Sequence, residues 1–139
     1  TDADFMVKVI DVYPEKFEYS KTARSYLKSD YPMSGYQLMI RGELFRGRFR
    51  KGFDNPLPFK PEEITPVNYT LYDVAHTFLP GHRLMIQIQS SWFPIIDRNP
   101  QRFIDTYHCT VEDFVMKQKI KIYHQQGAAS RVILPVVKK

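Results

Sequence analysis

Apolar and polar positions along this chain alternate with period two, and no stretch carries the 3.6-residue period of a long amphipathic helix. From Asp4 to Tyr13, Phe5, Val7 and Val9 alternate with Met6, Lys8 and Ile10, which predicts a strand that Pro14 ends. Glu15 to Pro32 breaks the pattern and reads as a long loop, with room for one helical turn around Thr22 to Leu27. Gly35 to Arg50 is extended again, and Gly42 within it hints at a bulge. Gly52 to Pro61 reads as a surface connection, rich in proline. Ile64 to Leu71 alternates as a strand. Pro80-Gly81 is a tight turn, since Pro presets the first φ and Gly accepts a positive second one. It launches a strand from His82 to Ser90, with Leu84, Ile86 and Ile88 on one face and Arg83, Met85, Gln87 and Gln89 on the other. Pro94 stops that strand, because it cannot donate to a central ladder. Lys117 to His124 alternates with its lysines outward and Ile120 and Ile122 inward. Gln125 to Ser130 turns around Gly127, and Arg131 to Val137 reads as a closing strand.

Six or so strands joined by turn chemistry predict an all-β antiparallel sandwich. The long connections favour Greek-key or jelly-roll crossings over a meander. At 139 residues the chain makes one domain, able to bury roughly two-thirds of its unfolded surface. An aromatic content of 14% suits a sandwich filled by Phe and Tyr. The net charge of +5 is spread over several segments, so it does not mark a nucleic-acid surface. No run of about eighteen apolar residues is present to span a membrane, and no signal peptide is visible. The chain opens on a ready-made strand without a Met, which reads as a fragment of something longer. Cys109 is alone, so no internal disulfide is possible.

Candidate chemistry is sparse. None of the six glycines sits in a G-x-S-x-G nucleophile elbow. The four histidines show no i, i+4 pair, and with one cysteine they argue against a zinc site. No cofactor motif is present. His76 and His82 flank the Pro80-Gly81 turn and read as ordinary turn or partly buried residues. Arg46, Arg48 and Arg50 alternate with Phe45, Gly47 and Phe49, which on one strand puts three guanidinium groups on one face about 7 Å apart. They read as a solvated outer face, as ion pairs to another domain, or as a nucleic-acid contact. The segment Trp92, Phe93, Pro94, Ile95, Ile96, Asp97, Arg98, Asn99, Pro100 is too polar at its end for a core strand and too apolar at its start for an idle loop. Asp97 reads as an acceptor for turn amides and Arg98 as a donor to loop carbonyls, or both as docking residues. Trp92 and Phe93 read as core plugs, or as an apolar patch covered by another domain.

Several of these residues carry a resemblance. Gly81-His82-Arg83, the alternating strand, and Ser90-Ser91-x-Phe93-Pro94-x-x-Asp97-Arg98-Asn99-Pro100 resemble the C-terminal domain of the X-Pro dipeptidyl-peptidase and cocaine-esterase-like family. Thr1 to Pro14, Leu44 to Arg50 and Leu134-Pro135-Val136 are similar in the same register. Gln101-Arg102-Phe103 departs from the Asn-Thr-Gly of many relatives, and Pro14 to Pro32 is individual to this chain. The resemblance implies a galactose-binding-like jelly roll lacking its first strands, carried by a bacterial serine hydrolase (dipeptidyl-peptidase, acylase or esterase). It also implies that the catalytic Ser, Asp and His lie in a separate α/β-hydrolase domain, leaving this chain non-catalytic. That domain is the expected partner, with Trp92, Phe93, Asp97, Arg98, Asn99, Arg46, Arg48 and Arg50 as interdomain or cleft-facing residues. Without the missing strands, the fragment is expected to self-associate. The alternative is a carbohydrate-binding sandwich with Trp92 and Tyr107 as its sugar platform.

Overall fold

The computed structural model describes residues 1–18, 33–115 and 117–137. Three strands form one antiparallel sheet: β1 (Asp4–Val12), β2 (Gln37–Arg46) and β3 (Arg83–Gln89), in the order β2-β1-β3. Two single 3-10 turns, Gly47–Phe49 and Val111–Asp113, complete the regular structure among the described residues. No described helix is long and apolar enough to cross a membrane. The chain is therefore all-β and antiparallel, as its period-two pattern predicts, and consistent with part of a β-sandwich. The helical turn expected around Thr22 to Leu27 lies outside the described residues.

β1 is central, and its two faces differ. Residues 4, 6 and 8 share one face by alternation. Asp4 and Met6 on that face are buried, Met6 completely, and Ile10 and Val12 continue the buried run. Cross-strand partners on the same face are Arg46 opposite Asp4 and Leu44 opposite Met6, with Gln89 and Gln87 of β3 opposite Met6 and Lys8. The other face carries Phe5, Val7 and Val9, with Ile86 and Ile88 of β3 beside Val9 and Val7. It is apolar yet only half covered: Leu84 and Ile88 rank among the exposed large hydrophobics.

A register shift falls between Val9 and Ile10, where Val9 pairs with Arg41 and Ile10 with Met39, leaving Ile40 as the extra residue of β2. The bulge is thus near Gly42 but not at it. Gly42 answers to a different constraint, since a Cβ there would lie 2.6 Å from Met6 Cε and 3.2 Å from Met39 Sδ.

Three expected strands do not pair. Ile64–Leu71, Lys117–His124 and Arg131–Val137 join no ladder among the described residues. The first keeps the burial alternation of an extended chain, with Thr65, Val67, Tyr69 and Leu71 turned toward the protein. Tyr69 stacks on Phe45 of β2 at 4.8 Å with the rings nearly parallel, and burial, with Glu43 nearby, pushes its hydroxyl up to about 12. Ile120 and Ile122, expected inside, are both partly exposed. They line a shallow cleft of about 210 Å³ with Phe5, Ile88 and Gln118. Residues 131–137 are exposed throughout.

Candidate functional site

Period two in the first residues of the chain sets the site. Asp2 and Asp4 share the face that carries Met6 and Lys8, and both carboxylates are buried, Asp2 at 0% exposure. A buried carboxylate requires cations or strong donors. β2 supplies the first: Arg46, the cross-strand partner of Asp4, places Nη1 3.1 Å from Asp4 Oδ2. After Arg46 the chain leaves the strand in the 3-10 turn at Gly47, which brings Arg48 over Asp2. Arg48 Nε donates to Asp2 Oδ2 at 2.7 Å, its Nη2 lies 2.7 Å from the same oxygen, and its Nη1 donates to the Ile104 carbonyl at 3.0 Å. The Phe103 ring lies under the guanidinium, 5.0 Å away. Gly47 permits the approach: its N–H donates to the Ala3 carbonyl at 2.9 Å.

The expectation that Arg46, Arg48 and Arg50 share one strand face is therefore corrected. The strand ends at Arg46, and the turn at Gly47–Phe49 sends the three side chains to different acceptors. Arg50 donates to the carbonyls of Gly47, Leu57 and Pro58 and lies over the Phe59 ring at 4.3 Å. All three guanidinium groups are occupied within the domain, and none forms a solvated outer row.

The second set of donors comes from the loop after β3. Asn99 Nδ2 donates to Asp2 Oδ2 at 3.1 Å and to Asp4 Oδ1 at 2.9 Å, while Asn99 Oδ1 accepts the Gln101 N–H at 2.6 Å. Gln101 then takes a positive φ of 63°, and its carbonyl accepts the Asp2 N–H at 3.2 Å. Here, at the departure from the Asn-Thr-Gly pattern, the chain holds a left-handed non-glycine residue by a side-chain turn. Pro100, between them, is fully buried.

Upstream, the same loop is open. Trp92 is half buried, with Lys8 Nζ 5.3 Å from its ring centre, so one face of the indole is taken. The peptide bond Phe93-Pro94 is cis, and the Ile96 N–H closes a turn on the Trp92 carbonyl at 3.1 Å. Phe93 and Ile95 are about two-thirds exposed, at 66% and 68%. Asp97 and Arg98 are exposed, and neither side chain makes a hydrogen bond or ion pair among the described residues. Arg98 lies instead over the Phe114 ring at 5.7 Å. The expected local bonding of Asp97 to turn amides and of Arg98 to loop carbonyls is thus absent. Tyr107, the second ring of the expected sugar platform, stands 93% exposed.

Of the candidate residues, Arg46, Arg48 and Asn99 converge on Asp2 and Asp4. Trp92, Phe93, Asp97 and Arg98 share the loop that Asn99 ends, and Arg50 stands apart. Asp2 and Asp4 were missed as site residues. The available signal was a pair of carboxylates spaced by two at the head of an apolar strand.

Burial, the largest influence, holds the Asp4 carboxyl above its ordinary 3.8, while the Asn99 bond and the Arg46 charge pull it back. In the window just above 3.8 the folded state therefore binds more protons at Asp4 than the unfolded state does. Raising pH through that window costs stability at this residue, and acidification returns it. A carboxyl NMR titration is expected to show the Asp4 midpoint above 3.8, and a midpoint at or below that value would refute the assignment. Asp105 and Asp113 run the other way: bonds from His108 and Tyr107, and from Thr110, respectively hold them low.

A third buried carboxylate sits at the far end of β1. Asp11 Oδ2 is 2.9 Å from His76 Nε2, and Asp11 Oδ1 is 2.9 Å from His82 Nδ1. The Tyr13 ring covers His82 at 4.4 Å. Because a carboxylate only accepts, both facing ring nitrogens carry the proton. The two histidine side chains are at least partly buried, one of the two readings expected of them, and together they fasten the Pro80-Gly81 turn to β1. No serine or cysteine among the described residues is hydrogen-bonded to either ring, so the pair lacks the nucleophile a relay would need. Among the described residues no group of three His, Cys, Asp or Glu is placed to hold a metal.

Known proteins share this arrangement of segments. The cocaine esterase of Rhodococcus sp. (strain MB1 Bresler) is 27% identical over 138 residues, 99% of this chain and 21% of the esterase. The crystal structure of an aminopeptidase from a marine sediment archaeon (Thaumarchaeota archaeon) matches with a TM-score of 0.69 and 40% identity, over 81% of this chain and 17% of the other. An α-amino acid ester hydrolase labelled with selenomethionine matches with a TM-score of 0.69 and 38% identity, over 82% of this chain and 17% of the hydrolase. In these relatives the domain is one portion of a much longer chain. Residues 1–133 match the X-Pro dipeptidyl-peptidase C-terminal non-catalytic domain, and the chain belongs to that family.

Proposed function

We propose that this domain serves a larger serine hydrolase of the dipeptidyl-peptidase, acylase or esterase type, as a jelly roll that packs on the catalytic α/β-hydrolase domain and helps bound its substrate cleft. The observation that carries the proposal is the two-sided loop from Trp92 to Asn99. Its base is anchored to buried carboxylates, and its tip offers the exposed Phe93 and Ile95 together with Asp97 and Arg98, whose charges have no ionic partner among the described residues. A loop braced at the base and unsatisfied at the tip has the form of a docking element rather than of a mobile connection. The names of the relatives support the hydrolase class: an esterase, an aminopeptidase and an ester hydrolase. The half-covered Val7–Val9 face and the unpaired outer edges of β2 and β3 among the described residues support self-association when the domain stands alone.

The test compares Phe93→Ser/Ile95→Ser in the domain alone and in the full hydrolase. Both side chains are exposed here, so the domain alone is expected to change by no more than about 0.5 kcal/mol. The full hydrolase is expected to lose roughly 2 kcal/mol or more, as for buried apolar contacts. Equal small losses in both proteins would refute docking through this loop.

A further inference from the structure

Asn99 puts both donors and the acceptor oxygen of its side chain to separate tasks. Its two amide protons go to two different buried carboxylates, Asp2 at 3.1 Å and Asp4 at 2.9 Å, and its oxygen takes the Gln101 N–H at 2.6 Å. No other side chain of this length carries two donors and an acceptor at one branch point. Aspartate lacks the donors, leucine lacks both, and glutamine is longer by a methylene. The acceptors sit at the head of the central strand, where Asp4 and Asp2 are in turn held by Arg46 and Arg48. On its other side, Asn99 adjoins Asp97 and Arg98, whose side chains have no hydrogen bond of their own among the described residues. The other fixed points of the loop are the turn of Ile96 onto Trp92, the bond from the Phe93 N–H to Ser91 Oγ, the contact of Trp92 with Lys8 and that of Arg98 with the Phe114 ring.

We infer that Asn99 is the positioning residue of the Trp92–Asn99 loop: it transmits the register of β1 to the loop tip and so fixes the direction in which Phe93, Ile95, Asp97 and Arg98 are presented. Resting on the docking proposal above, this names the residue that keeps the docking element in one orientation before its partner arrives. Preorganisation of this kind lowers the ordering cost of association.

The experiment uses the full hydrolase chain and three variants: Asn99→Ala, Asn99→Asp, and the reciprocal swap Asn99→Asp/Asp4→Asn. Asn99→Asp sets a third carboxylate against Asp2 and Asp4. The swap lets the amide of residue 4 donate to the carboxylate at 99 and restores that bond with reversed polarity. The first readout is tryptic cleavage after Arg98, measured against cleavage after Arg83 in β3. Cleavage at Arg98 is expected to rise about tenfold in Asn99→Ala and Asn99→Asp, with Arg83 unchanged, and to fall in the swap measurably below Asn99→Asp without reaching wild type, because the carboxylate at 99 still faces Asp2. A general loss of structure would raise both sites together and would not be rescued, and that result overturns the inference, as does unchanged cleavage at Arg98 in both single variants. Should Asn99→Asp fail to fold, recovery of a folded chain by the swap supports the inference, and failure of the swap to recover it overturns it. The second readout separates the two ideas. If the loop also bounds the cleft, KM rises in the single variants with kcat within about twofold, because ground-state and transition-state binding fall together. Faster cleavage at Arg98 with KM unchanged keeps Asn99 as the positioning residue and removes the cleft from the docking proposal.

Discussion

Asp2→Ala is expected to destabilise the protein by about 3–5 kcal/mol. The carboxylate is wholly buried, and Arg48, with 13% of its side chain exposed, faces it at 2.7 Å. Truncating the acid leaves a mostly buried guanidinium with its principal charge partner gone, and leaves one Asn99 proton without an acceptor. An unpaired buried charge costs far more than the net worth of the pair itself. The companion variant Asp2→Ala/Arg48→Met removes both charges and is expected to recover part of the loss. Urea denaturation of wild type and both variants measures this. A loss below about 1 kcal/mol for Asp2→Ala would mean that Arg48 finds water or another acceptor, and that the network is a surface arrangement.

Gly47→Ala is expected to be the second most damaging single change, at about 1–3 kcal/mol or more. A Cβ at this residue would stand 2.6 Å from the Ala3 carbonyl oxygen and 2.6 Å from two atoms of the Phe59 ring. The first contact is backbone, which cannot rotate away, and the second is a ring packed edge-on against Phe5. Relief requires the 3-10 turn to move off β1, which breaks the bond from the Gly47 N–H to Ala3 and carries Arg48 away from Asp2. Gly42→Ala supplies the comparison. Its closest neighbour is Met6 Cε, the end of a flexible side chain, so the same nominal clash of 2.6 Å is expected to cost less. Thermal unfolding of the two variants side by side checks the ranking. Equal shifts would show that the Ala3–Gly47 approach is not rigid.

Those two residues also mark where the chain was legible and where it was not. The strands that became β1, β2 and β3 were visible because each alternates over enough residues for period two to stand out. Alternation, however, reports an extended chain and nothing about its neighbours. Ile64–Leu71 alternates as well as β3 does, and it lies extended with Tyr69 on Phe45, yet it joins no ladder among the described residues, because pairing depends on a partner that periodicity does not name. The arginines misled for a related reason. Counting by twos from Arg46 carries through Arg48 to Arg50 only if the strand continues, and Gly47 ends it by letting the backbone close on Ala3. The Trp92–Asn99 loop stood out by composition, and its charged tip is indeed exposed. Its anchors were not legible, because Asp2 and Asp4 read as the polar margin of a strand until Asn99 arrives beside them.

That arrival has a kinetic meaning. Asn99 is 97 residues from Asp2 and 95 from Asp4, so its two bonds, with the neighbouring bond from Asp2 N–H to the Gln101 carbonyl, close very long loops. Loop closure of this length draws on chain entropy before any contact returns it, and contacts of such separation belong to the slow, late part of folding. Nothing holds Asn99 near the head of β1 until β3 has registered against β1 and the turn after it has formed. The network is thus a bolt shot after the door is shut: it adds little to the rate at which the sheet assembles and much to the time the assembled sheet lasts. Weakening it is then expected to speed unfolding more than it slows folding, as the two arms of a denaturant chevron would show, and the carboxylates of Asp2 and Asp4 would set the domain's lifetime.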